Sequence, residues 1–351
     1  MTCQKIVSSS LCFVLIACAL VSTTTQAKTF SEVKQTLESD VDLNKLAQST
    51  HRLMRQYHYN PAELNNPSYK AMEESINKLA ENSIDVKSFI DGFNKAWQQG
   101  PFSHVMMQQS QQSADNLAAY LDKMTVGDKG SSLTWDEDVA IMTINTMMGT
   151  DTIERISAFY QQITSKNAKA LVIDLRNNNG GAFAVKPLVG HLLTQPIDAG
   201  VFVSQPWNAK HEAAPTRDYL QTVTPWQGWS IQSFWKDVQN NEVTRIQMTP
   251  MQPTYKGEVY VLTSKTTASA AELGTDALGN LSNVTIIGEV TEGAMLSQTI
   301  FDVAPGVHLL LPIADYYSLQ NGRIEGNGVT PDIEVSADKA MEKARALITA
   351  K

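Results

Sequence analysis

Short, unbroken apolar runs that alternate with helix-forming segments limit the possible folds of this chain more than any other feature. "DVAIMTIN", "ALVIDLR", "GVFVS", "EVYVLT", "VTIIGE" and "HLLLPI" are too short for core helices and lack the apolar–polar alternation of half-exposed strands. A strand that is apolar on both faces has to be covered on both, as happens when helices pack on a sheet. The expected fold is therefore α/β, a core of repeated strand–helix units. With 351 residues, 42% of them hydrophobic and 18% charged, the chain is long enough for one large domain plus a smaller one.

The smaller domain is expected at residues 28–122. "LNKLAQSTHRLMRQY", "SYKAMEESINKLAENS" and "VKSFIDGFNKAWQQG" space their apolar residues at helical intervals between charged ones. The core should then occupy 123–351. Within it, residues 205–256 lose the regular pattern and hold Trp207, Trp226, Trp229 and Trp235, four of the six tryptophans. This excursion is open to two readings: a segment packing a small core of its own, or a lid whose Trp207, Trp226 and Trp229 line a substrate site.

Residues 1–27 read as a secretory leader, with Lys5 before an apolar stretch from Leu11 to Val21 and a polar tail ending at Ala27. The apolar stretch is shorter than the roughly 20 residues of a membrane-spanning helix. Cys3, Cys12 and Cys18 all lie inside the leader, so cleavage after Ala27 leaves a chain with no thiol and no disulfide. "LIAC", ending at Cys18, also resembles a lipoprotein box, and membrane attachment is expected only if Cys18 is lipidated. Loss of the leader leaves 27 basic against 36 acidic residues, a net charge of −9, which argues against nucleic acid as a partner. The expected compartment is periplasmic or extracellular; oligomeric state is not legible.

Two stretches carry the chemistry. In "EVYVLTSKTTASAAELGTDALG" a strand turns directly into a helix, so Ser269 falls at the helix start, where backbone N–H groups lack intrahelical partners. A hydroxyl there can attack a carbonyl while the Ala270 N–H faces the charge that develops. Serine at a helix start is more often simply an N-cap. In "ALVIDLRNNNGGAFAVKPLVGHLL", Gly180 and Gly181 offer bare backbone N–H groups just before another helix. By itself that pattern fits a tight turn equally well.

"LVIDLRNNNGG", "VLTSKTTASAAE", "IIGEVTEG" and "IEGNGVTPDIEV", in this order, resemble the serine peptidase family of the C-terminal processing peptidases, the tricorn protease core and the interphotoreceptor retinoid-binding modules. The resemblance spans Asp138 to Val335. It implies a ClpP/crotonase-like core preceded by the small helical domain, with Ser269 as nucleophile and no metal or organic cofactor. The processing peptidases use a lysine base where this chain has Ala294 in "GEVTEGA", and they insert a PDZ domain for which the interval His104 to Asp138 is too short. The Ser-His-Glu, tricorn-like branch fits better. It implies His104 as base, Glu325 as its acidic partner and Ser103 as a further hydrogen-bonding neighbour.

The expected function is secreted peptide-bond hydrolysis on a peptide or protein substrate. Ser269 attacks, His104 carries the proton, and Ala270 with Gly180 or Gly181 holds the oxyanion. An esterase using the same residues and a non-catalytic ligand-binding module are the alternatives. An imidazole base titrates near pH 6.5, so the rate should rise through an apparent pKa of about 6 to 7.5. Lys265, near the nucleophile in sequence, is the fallback base.

Overall fold

A computed structural model describes residues 41–350. The expected leader, Cys18 and the first residues of the expected helical domain lie outside the described residues. The chain divides into two compact units, one running through Leu117 and including Gln298–Pro312, the other comprising Ala118–Ser297 and Ile313–Lys351. In chain order the strands are β1 (Met106–Gln109), β2 (Ser131–Asp136), β3 (Val139–Ile144), β4 (Ala170–Asp174), β5 (Ile197–Ser204) and β6 (Val243–Met248). There follow β7 (Glu258–Thr263), β8 (Val284–Gly288), β9 (Ser297–Ala304), β10 (Val307–Ser318), β11 (Gly322–Arg323) and β12 (Ile333–Glu334).

The first unit is built on three helices, Leu43–Tyr57, Pro67–Asn82 and Val86–Trp97, where the helical spacing predicts them. Asp42 accepts the Lys45 N–H at 3.1 Å and Asp85 accepts that of Ser88 at 2.7 Å, each supplying an acceptor to an otherwise unpartnered first-turn donor. The third helix buries Val86, Phe89, Ile90, Phe93 and Trp97. Five large side chains on one stripe contribute roughly 1.5–3 kcal/mol each. The unit is not purely helical: β1 pairs antiparallel with Val307–Leu310 of β10, and β9 pairs with β10. Asn94 fixes β1 to the third helix through two bonds to Met107, its amide donating to the carbonyl and its oxygen accepting the N–H, both at 2.8 Å.

The second unit holds a sheet in the order β12-β8-β7-β4-β3-β2, parallel throughout except for the antiparallel edge strand β2. Every residue of β4 is buried. Ala340, Ala344 and Ile348 of the closing helix Ala337–Thr349 pack on Val172, Tyr260, Leu262 and Ile287. The helix Ala270–Leu278 is buried along its whole length, which explains its small residues. A Cβ on Gly274 would already lie 3.2 Å from Val185 of the helix Val185–Gly190.

"GVFVS" and "HLLLPI" do not join this parallel sheet. β5 runs antiparallel to β6 and to Ala314–Ser318 of β10. An unbroken apolar run reports burial on both faces and not the direction of the neighbouring strand, so the sequence pattern could not separate the two sheets. Residues 205–256 form three short helices and β6. Arg245 is buried, pairs with both oxygens of Asp198 at 2.8 and 2.7 Å, and donates to the Leu220 and Val223 carbonyls at 3.1 Å. That fixes the excursion to its own sheet.

Candidate active site

The hydroxyls of "TSKTTAS" have a local reason. Thr267 donates from its hydroxyl to the Leu175 carbonyl at 2.9 Å, Thr266 to that of Arg176 at 2.8 Å, and the Ala268 N–H to that of Asn178 at 3.0 Å. The loop after β7 is thereby laced to the loop after β4, with the buried carbonyls of the one satisfied by the other. At the end of the laced segment Ser269 adopts φ 54° and ψ −123°, a backbone state that a non-glycine residue occupies only under constraint from its surroundings. Its N–H donates to Glu272 at 2.9 Å.

Glu272 is fully buried and collects three further donors: the Thr291 hydroxyl at 2.6 Å, the Gly293 N–H at 2.7 Å and the Ala294 N–H at 2.9 Å. One carboxylate thus holds the serine and the 291–294 loop together. Burial pushes its pKa up to about 7, and the four donors pull it the other way. The Ser-x-x-Glu spacing of a capping box was the available signal for Glu272, and sequence reasoning missed it. Glu292, half-buried, is likewise raised to about 7, first by burial and then by Glu272 and Glu325.

Gly180 sits against the serine. A Cβ there would lie 2.6 Å from the Ser269 Cβ and 2.8 Å from the Ala268 carbonyl oxygen, and its φ is +99°. Only glycine allows this approach. Its N–H, however, donates to the Asn178 side chain at 2.9 Å, while Asn178 also donates to the Ile144 carbonyl at 3.0 Å. The exposed Gly181 N–H and the Ala270 N–H take no hydrogen-bond partner among the described residues.

Ser103 and His104 lie in the first unit, on the turn between the helix Val86–Trp97 and β1. Phe102, next in sequence, packs on Trp97 and His58 with ring centroids 5.1 and 4.2 Å away. His104 has φ 62°, and the Ser103 hydroxyl lies 2.6 Å from its Nδ1. Burial pushes the imidazole down to about 4, well below the range expected from sequence, because a desolvated ring favours its neutral form. Glu325, in the second unit, is buried and accepts the Met295 N–H at 2.7 Å. Lys265 is 80% exposed and lies 3.8 Å from Glu289.

The tryptophans separate into two settings. Trp207 is buried among Val201, Val203, Leu220 and Val243, and its indole N–H donates to the Ala213 carbonyl at 2.9 Å. Trp226 stacks on Phe183 at 5.8 Å, and Trp229 lies 6.4 Å from the same ring. Phe183 is two residues past Gly181, so the aromatic wall starts beside the glycine turn. Three further histidines have contacts of their own: His191 bonds to the Pro253 carbonyl and lies 3.3 Å from the Ser157 hydroxyl, His51 bonds to Asn77, and His211 stacks on Trp207.

A mostly parallel sheet, a strained serine at a buried helix start and a glycine turn against it define an α/β protein with a candidate site where two strand-to-helix turns meet. Residues 138–335 match peptidase family S41, and the chain belongs to that family. It is 27% identical over 171 residues to a carboxyl-terminal-processing protease of Synechocystis sp., covering 49% of this chain and 32% of the relative. It is 27% identical over 179 residues to a chloroplastic C-terminal processing peptidase of Tetradesmus obliquus, covering 51% and 31%. The chain spans about a third of the length of the curated relatives it matches. Among solved structures it resembles a putative peptidase from Parabacteroides merdae, with TM-score 0.60, 15% identity and coverage of 88% and 97%. It also resembles the photosystem II D1 C-terminal processing protease, with TM-score 0.53, 14% identity and coverage of 85% and 94%.

Proposed function

We propose that the chain is an exported serine peptidase. The observation that carries this reading is the constrained Ser269 at the start of a buried helix, with the N–H groups of Ala270 and Gly181, unpartnered among the described residues, on the two loops laced around it. Ser269 Oγ attacks the peptide carbonyl, and the oxyanion is held by the Ala270 and Gly181 N–H groups. Gly180 serves instead by letting the loops approach. His104 takes the hydroxyl proton and returns it to the leaving amine.

For that role Nε2 must be the acceptor, so Nδ1 carries the hydrogen and donates it to Ser103. Glu325 is the acidic member of the set, and the position taken by lysine in the processing branch is Ala294, which has no titratable group. Trp226 and Trp229 form the substrate wall, and Trp207 supports it from within the excursion's own core. The names of the curated relatives favour peptides over esters as substrates.

A fluorophosphonate probe tests the assignment. The wild type should be labelled once, on Ser269, as located by peptide mass spectrometry. Ser269→Ala should unfold at the same temperature and take no label; retained labelling would remove Ser269 from the mechanism.

A further inference from the structure

Lys186 occupies an unusual setting in the aromatic wall. It lies in the first turn of the helix Val185–Gly190, five residues past Gly181. Its Nζ is 4.1 Å from the Trp229 ring centroid, 4.8 Å from that of Trp226 and 6.0 Å from that of Phe183. It donates to the Gly228 carbonyl at 2.6 Å. Among the described residues no carboxylate oxygen lies within 4.0 Å of it. Burial alone depresses its pKa, to about 8.

Ring faces and one carbonyl satisfy an ammonium only in part, and a half-buried cation without a counter-charge is unfavourable unless something anionic completes it. A methionine, unbranched and uncharged, would fill much the same space without that penalty. Its place is also built in advance. Asp122 caps the helix Ile231–Asn240, accepting the Ser230 hydroxyl at 2.6 Å and the Ile231 N–H. The Trp226 indole donates to Asp237 at 3.0 Å, and the Trp226 N–H to the Arg245 carbonyl at 2.9 Å. Trp229 remains 52% exposed, an open platform beside the cation.

We infer that Lys186 is the specificity-determining residue of the substrate wall, pairing with a carboxylate of the bound peptide while Trp226 and Trp229 pack on the adjoining apolar part. The carboxylate is either the C-terminal one of the peptide or an Asp or Glu side chain near the scissile bond. The inference rests on the peptidase reading of the Ser269 site.

One peptide would be made in three forms: with free C-terminus and an Asp, with amidated C-terminus, and with Asp replaced by Asn. Hydrolysis by wild type and by Lys186→Met, which keeps the stem, should show KM for the doubly acidic form raised about tenfold or more, the size expected for a lost charge-assisted bond. Its kcat should stay within about twofold, and Lys186→Arg should recover most of the loss. The form that already binds poorly to the wild type, and loses nothing further in the variant, identifies the carboxylate. An unchanged KM for all three peptides overturns the proposal. So does a collapse of kcat with loss of fluorophosphonate labelling, which would make Lys186 part of the serine's own chemistry. If the wild type is neither labelled nor active, the peptidase reading fails. Quenching of tryptophan fluorescence by the same peptides then decides the Lys186 proposal by itself: charge-dependent binding lost in Lys186→Met supports it, and equal binding overturns it.

Discussion

At the scale of single residues, the sharpest expectation follows from the proposal that His104 is the base. A base acts in its neutral form, so activity rises with pH through the pKa of the free enzyme. Burial places that pKa near 4. The acid limb of kcat/KM should therefore fall near pH 4 to 5, about two units below that of an exposed imidazole. A pH profile with its limb at 6.5 would show that the ring is hydrated in the working enzyme. His104→Ala should lower kcat on the order of a thousandfold, and adding Ala294→Lys should restore none of it, because the Glu272 carboxylate beside that position favours the charged form of an introduced amine, which cannot act as a base.

At the scale of elements, the active loops depend on two strand-to-helix turns fitting against each other. Gly180 is where they meet, at a φ of +99° and with the Ser269 Cβ and Ala268 carbonyl in the space a side chain would need. Gly180→Ala should cost about 1–3 kcal/mol of stability through backbone strain and overlap. It should also lower the rate of fluorophosphonate labelling about a hundredfold, since displacements of the order of 1 Å have that effect on chemistry. Denaturant unfolding and labelling kinetics measure the two effects. Normal labelling in a destabilised variant would detach Gly180 from the positioning of the serine. The excursion shows the same division of labour within one segment: Trp207 packs inward, whereas Trp229 stays open on the wall.

At the scale of the whole molecule, the buried titrating groups oppose one another. His58 and His104 are both pushed down to about 4, so the unfolded chain binds more protons between about pH 4 and 6.5 and their contribution to stability is lost as pH falls through that window. Glu272 and Glu292 are raised to about 7. There the folded state binds more protons, and stability is lost as pH rises from about 4.5 to 7. The melting temperature should therefore be nearly level between about pH 4.5 and 6.5 and decline on the alkaline side. Glu292→Gln removes one of the opposing groups, so the level region should tilt upward toward pH 6.5 and the alkaline decline should shrink. Glu292 remains partly open to solvent, which screens its effect to the order of 1 kcal/mol. Calorimetry at pH 4 to 9 on both proteins checks this; identical profiles would remove Glu292 from the balance.

Local pattern alone determined much of this protein. The three N-terminal helices, the unbroken strand runs and the two strand-to-helix turns holding Gly180, Gly181 and Ser269 could be read because periodicity and turn chemistry act over a few neighbouring residues. Tertiary structure decided what depends on contacts between distant residues. It assigned the Gly180 N–H to Asn178 and left that of Gly181 without a partner among the described residues, divided apolar runs of one kind between a parallel and an antiparallel sheet, and brought Gln298–Pro312 into the first unit. It also put Glu272 at the junction of two loops, Trp207 in a core and Lys186 under two indoles. Burial and hydrogen-bond partners are properties of the assembled chain. For that reason the pKa of His104, the donors left for an oxyanion and the aromatic setting of the Lys186 ammonium became visible only when the elements were packed together.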